Sequence, residues 1–200
     1  MQRTARLLAR RGGRRKPAAA ALPPLLFFTD PRRTPDPAAV ARRLPRGSAV
    51  VFRHFGTADA EGQARALKAI ARDRGLRLLI GADAALAGRI DADGVHLPQR
   101  LAHRALAIKR ARPRWLVTSA AHSLRAARAS HADAVVVSAA LPSNSPSAGP
   151  ALGPVRLAAL ARACPRPVYA LGGINDATAR RLLDAGLVGL AAVEGLAART

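Results

Sequence analysis

The chemistry this sequence offers is carried by two adjacent glycines, an arginine, a histidine and a serine-rich stretch. Gly172 and Gly173 lie in PVYALGGIND (167–176), where an apolar run meets a helix that opens near Asn175. Glycine has no Cβ, so its backbone N–H groups can approach a bound anion. A helix N-terminus adds further donors and the positive end of its dipole. The combination reads as a phosphate cup, and its bland alternative is a tight turn. Arg53 ends the run AVVFR and is suited to clamp an anion or to pair with a neighbouring carboxylate. His122, in TSAAHS, suits acid–base work near neutral pH, or capping and packing. Ser143, Ser145 and Ser147, in LPSNSPSAG, offer hydroxyl donors to a phosphate or a polar ring. Their loop is longer than about 12 residues, a length that points to function in a compact domain.

Bringing these groups together requires a particular set of elements. Short apolar runs begin with LLFFT (25–29), AVVFR (49–53), RLLI (77–80) and GVHL (94–97). WLVTS (115–119), AVVVS (134–138), PVYAL (167–171) and VGLAAV (188–193) follow. Helical stretches separate them, including a long one over 58–74 with Thr57 as its N-cap. The runs are continuously apolar, as strands buried on both faces must be. Eight strand–helix repeats predict a compact (β/α)8 TIM barrel of the α/β class, with a shortened last helix before Thr200. The runner-up, a doubly wound sheet, normally carries glycines after its first strand, and TDPRRTPD has none. In a barrel the strand C-termini share one mouth. Alternation along VVFRHF places Val51, Arg53 and Phe55 on one side and Phe52 and His54 on the other.

The formal charge is +21, from 33 Lys and Arg against 12 Asp and Glu. Such a balance raises nucleic acid as a partner. The arginines, however, are spread over helix faces along the whole chain, so nucleic acid is not the expected partner. With one cysteine, Cys164, an internal disulfide and a cysteine-built zinc site are excluded. No apolar run reaches the roughly 20 residues of a membrane span, and the expected location is the cytoplasm. Residues 1–22 are basic and alanine-rich and are expected to be a disordered lead-in, with the barrel domain over 23–200. A homo-oligomer is compatible with this composition.

The motifs DADGVHLPQ (91–99), SAAHS (119–123), HADAVVVSAALPSNS (131–145), PALG (150–153) and YALGGIND resemble the thiamine phosphate synthase / TenI-type thiazole tautomerase family over roughly 25–196. The resemblance implies a barrel that joins hydroxymethylpyrimidine diphosphate to a thiazole phosphate with Mg2+, releasing diphosphate. By position, Arg53 would clamp the diphosphate. Ser143, Ser145, Gly172 and Gly173 would hold the thiazole phosphate, and His122 stands where tautomerases keep their acid–base histidine. The same resemblance exposes departures. The family's glutamine and lysine flanking the arginine are Val51 and Phe55. Its Asn-Asp pair is Gly81 and Ala82, with Asp83 one step along as the remaining metal-ligand candidate. Its second acidic ligand falls near Leu101, its loop lysine is Pro146, and its last phosphate-binding serine is Glu194. Synthase, His122-dependent tautomerase and a non-catalytic barrel binding a thiazole or pyrimidine ligand are therefore the readings to separate. Mg2+ is expected only for the first.

Overall fold

The structure is a computed structural model that describes residues 1–143 and 149–197. Its strands are β1 (Leu25–Phe28), β2 (Ala49–Phe52), β3 (Arg77–Gly81), β4 (Gly94–Leu97), β5 (Leu116–Ala121), β6 (Ala134–Val137), β7 (Val168–Leu171) and β8 (Gly189–Ala192). They pair in parallel in chain order, and β8 returns to β1 with Phe27 beside Ala192, closing the barrel. A first helix, α1 (Gln2–Arg15), precedes the barrel. The connecting helices are α2 (Pro37–Arg43), α3 (Ala60–Arg74), α4 (Ala84–Arg89), α5 (Ala105–Ala111), α6 (Leu124–Ala129), α7 (Gly153–Ala163) and α8 (Asp176–Ala179). The last, α9, covers Glu194–Ala197 within the described residues.

Side-chain caps explain several helix starts. Asp36, Asp83 and Ser123 each accept a hydrogen bond from a first-turn N–H, capping α2, α4 and α6. The expected cap Thr57 does not serve. Its N–H closes a turn on the His54 carbonyl, and Asp59 stands at the start of α3 instead.

Alternation sorts strand residues into two layers. Phe28, Val51, Leu79, Val136, Tyr169 and Ala191 fill the barrel interior. Phe27, Val50, Leu78 and Ile80 face outward under the α2–α5 half of the helical ring. Tyr169 is fully buried and donates its Oη proton to the Pro23 carbonyl at 2.6 Å, so its polar atom is satisfied. Gly189 makes room for it, since a Cβ there would lie 2.6 Å from the Tyr169 ring.

The amino-terminal segment departs from the expected disordered lead-in. Residues 2–15 form α1, whose Ala5 and Leu8 join the core cluster beneath α7 and α8. Gly12 packs on the entry to β8, where a Cβ would meet the Leu187 carbonyl oxygen and Val188 Cα at 2.9 Å. Polar contacts fix both ends of the helix. The Met1 amino group pairs with Asp176, and Lys16 Nζ donates to the carbonyls of Ala161, Cys164 and Arg166 around the end of α7.

The other two lysines also fasten the floor of the barrel. Lys68 on α3 pairs with Asp93 at 2.9 Å, and the same carboxylate accepts the Leu78 N–H. Lys109 on α5 pairs with Asp133 at 3.1 Å, whose carboxylate accepts the Val117 N–H. The twin sequences ADGV and ADAV are thus one device used twice, at the entries to β4 and β6. They hold the N-terminal face, where barrels invest in stability rather than chemistry.

Candidate active site

A cavity of about 890 Å3 opens at the C-terminal ends of the strands. The connection after every strand contributes to its wall: Arg33, Arg53, Ala82, Arg100, His122, Ser143, Gly173 and Glu194. Arg53, His122, Ser143, Gly172 and Gly173, all singled out from the sequence, line this one space. Ser145 and Ser147 lie outside the described residues. Asp83 is not part of the lining.

Arg53 is held from several sides. Its Nε donates to the Thr29 carbonyl at 2.8 Å, and Nη2 lies 3.5 Å from Asp30 Oδ2. Its guanidinium sits 5.6 Å from the Phe28 ring centre and 5.1 Å from that of Phe55. Burial pushes Arg53 down to about 10, while the Asp30 charge works upward, so it keeps its proton at neutral pH. Phe55 is 63% exposed, at a positive φ of 49°, and Val51 is buried in the barrel interior. Neither offers a charge. His54 also reaches the cavity, contrary to the alternation reading, because β2 ends at Phe52 and a turn follows. Its Nε2 lies 3.8 Å from Asp83 Oδ2.

His96 and Arg33 are mouth residues that the sequence reading missed. His96 sits within β4, where GVHL reads simply as a buried run, and alternation aims it inward. Its Nδ1 bonds the Thr118 hydroxyl at 3.0 Å, and its ring meets Phe28 edge to face. Burial, then the Arg53 charge, push His96 down to about 3, so it is neutral. Arg33 comes from TDPRRTPD, which reads only as a turn. It makes a two-point contact with Asp30, Nε at 3.1 Å and Nη2 at 2.9 Å.

His122 Nδ1 lies 3.0 Å from the Ser138 carbonyl oxygen, with the Ser138 hydroxyl at 3.3 Å. A carbonyl only accepts, so this contact places the proton on Nδ1. In the neutral ring Nε2 then keeps its lone pair. The backbone N–H of His122 donates to Gln99 Oε1 at 2.8 Å, joining the turn after β4 to the end of β5.

The two glycines permit a close approach of loops. Gly172 and Gly173 have φ of 99° and 66°, and a Cβ on Gly173 would lie 2.3 Å from the Pro142 carbonyl oxygen. The loop after β7 thereby presses on the one after β6, with Leu141 N–H bonded to the Gly172 carbonyl. The expected open helix start is corrected. Asn175 Oδ1 accepts the Ala177 and Thr178 N–H groups in a capping box, so these donors are already used.

Glu194 lies beside this cup, since a Cβ on Gly195 would meet the Ile174 carbonyl. Its carboxylate is 3.6 Å from Arg33 Nε. The aspartates of the rim do not fit a family magnesium, which leaves Glu194 alone among the rim carboxylates with open oxygens. Mg2+ needs free carboxylate oxygens. Asp83 spends Oδ1 on the Leu86 N–H and faces His54 with Oδ2. Both Asp30 oxygens accept from Arg32, Arg33 or Arg53. Among the described residues no group of three or more His, Cys, Asp or Glu side chains stands together as a metal site.

Comparison with known proteins agrees with this architecture. The family model described as thiamine monophosphate synthase matches residues 25–196. A thiamine-phosphate synthase of Thiobacillus denitrificans is 34% identical over 180 residues, covering 82% of this chain and 83% of that protein. One from a Roseiflexus species is 36% identical over 141 residues, 66% of this chain and 58% of the relative's length. The solved thiamine phosphate pyrophosphorylase of Pyrococcus furiosus superposes with a TM-score of 0.73 at 23% identity, over 86% of this chain and 87% of that one, a likeness of fold. A closed eight-stranded barrel with its polar side chains gathered at the carboxyl mouth, matched from β1 through α9 by that family model, belongs to the thiamine monophosphate synthase family.

Proposed function

We propose that this chain is a thiamine-phosphate synthase that joins a hydroxymethylpyrimidine diphosphate to a thiazole phosphate. The observation that carries the reading is one cavity with a desolvated arginine on one wall and the Ser143 and Gly172–Gly173 loops on another. Its volume lies in the range of small-molecule sites. The C–O bond to diphosphate breaks heterolytically and the leaving group keeps the electron pair. The pyrimidine methylene cation is then captured by the thiazole ring nitrogen. Neither step needs a strong protein nucleophile. Both need charge held on the leaving group, which is the part given to Arg53, and a fixed partner ring, which falls to the phosphate-holding loops. Both substrates are small, charged and water-soluble, which fits a cytoplasmic enzyme. No described helix is long and apolar enough to cross a membrane.

The test is incubation of the purified chain with both precursors, with thiamine phosphate and diphosphate measured together. Equal amounts of the two products are expected. A folded protein that makes neither with Mg2+ supplied overturns the reading and leaves the tautomerase and the ligand-binding barrel. One observation favours a second reading, thiazole tautomerisation: the Ser138 carbonyl leaves Nε2 of His122 as a base. Under that reading His122→Ala abolishes tautomerase turnover. An unchanged tautomerase rate in the variant removes His122 from it.

A further inference from the structure

The mismatch between the mouth and a bound magnesium points to a different way of holding a polyanion. Arg33, Arg53 and Arg100 come from the connections after β1, β2 and β4 and line one cavity. Arg100 stands on the 3-10 turn Gln99–Arg104, is exposed, and makes no ion pair among the described residues. Its neighbour Gln99 ties that turn to the His122 N–H at 2.8 Å, so the arginine is presented at the mouth by a fixed backbone. Arg53 engages Nε and Nη2 with β1 and Asp30, which leaves Nη1 with no hydrogen bond to a described residue. Arg33 is shared. Its two-point contact is with Asp30, while Glu194 is 3.6 Å away and 59% exposed, a contact that an incoming anion can displace. Guanidinium groups bind phosphate oxygens through paired N–H donors without any cation.

We propose that the diphosphate half of the substrate is held by Arg53 and Arg100, with Arg33 changing partner from Glu194 to the anion, and that a divalent cation is not required for this binding. The identity of the diphosphate ester rests on the synthase reading; the arginine binding mode does not. The rim aspartates Asp30 and Asp83 are engaged by protein donors, which leaves Glu194 as the rim carboxylate open to a metal, whereas three guanidinium groups face the same cavity.

Calorimetric titration of the full chain with inorganic diphosphate tests this, once in excess chelator and once in excess Mg2+. The expected dissociation constants agree within about threefold. Arg53→Ala and Arg100→Ala each weaken binding by about tenfold or more in chelator. Arg104→Ala, an exposed arginine on the same turn outside the cavity lining, leaves it unchanged. Thermal unfolding of each variant confirms that it is folded. Binding that appears only with Mg2+, or an Arg100→Ala variant indistinguishable from Arg104→Ala, overturns the proposal. Turnover separates it from the synthase reading. Thiamine phosphate made only with Mg2+-dependent diphosphate binding sinks this inference and keeps the enzyme. Chelator-resistant diphosphate binding without product does the reverse.

Discussion

His96 is the side chain whose surroundings make the sharpest demand on pH. It is buried beside Phe28 and near the Arg53 charge, and its ring is pushed down to about 3. In the unfolded chain a histidine titrates near about 6.5. As pH falls through the interval between these values, the unfolded chain takes up a proton that the folded chain refuses. Stability from this group is therefore complete above about 6.5 and is lost on acidification towards 3, by at most about 1.4 kcal/mol per pH unit. Melting temperature measured from pH 7 down to pH 4 should fall, and His96→Gln should flatten that slope. A variant with the wild-type slope would place the acid sensitivity elsewhere. The same side chain shows what was hard to read in the sequence. Within GVHL nothing distinguishes a histidine turned into the mouth from one packed under a helix. Arg33 was hidden for another reason: its role depends on Asp30 and Glu194 at opposite ends of the chain.

Among the elements, the strands were legible and α1 was not. Eight continuous apolar runs leave little choice, and each predicted run lies within two residues of an observed strand. The buried stripe of α1 is Thr4, Ala5, Leu8 and Gly12, at helical spacing but built mostly from small residues that carry weak hydrophobic signal. The arginines around it dominate the composition. Its adjacent glycines give a test in which the sign matters. In a helix interior, Gly→Ala normally stabilises by about 0.5–1 kcal/mol. Gly13→Ala should do so, because its new Cβ meets nothing closer than Ala20 at 3.6 Å. Gly12→Ala should destabilise despite the same propensity gain, because its Cβ would press on backbone atoms of 187 and 188 at 2.9 Å. Thermal melts of the two variants should move in opposite directions. A Gly12→Ala protein melting above the parent would mean that α1 is not seated against β8.

At the scale of the whole molecule, the barrel separates stability from binding along its axis. The floor uses all three lysines of an arginine-rich chain where a compact ammonium has to reach carbonyls or a carboxylate, while the mouth uses arginines that fork. This division was partly visible. Resemblance marked DADGVHL and HADAVVV as family motifs, but their aspartates act on the structural face rather than at the site, as only the pairing with Lys68 and Lys109 reveals. A crossed pair of variants tests it. Asp133→Ala leaves the Val117 N–H without its acceptor and Lys109 without its partner carboxylate, a loss of about 1–3 kcal/mol. For a domain of this size that lowers the melting temperature by about 2–4 °C per kcal/mol. The diphosphate dissociation constant, measured at a temperature where the variant is folded, should stay at the parent value. Arg100→Ala should show the mirror image, an unchanged melt and weakened binding. If Asp133→Ala loosens the ligand as much as it loosens the fold, floor and mouth are coupled through the strands, and the barrel interior of Tyr169, Leu79 and Val136 is the path to probe next.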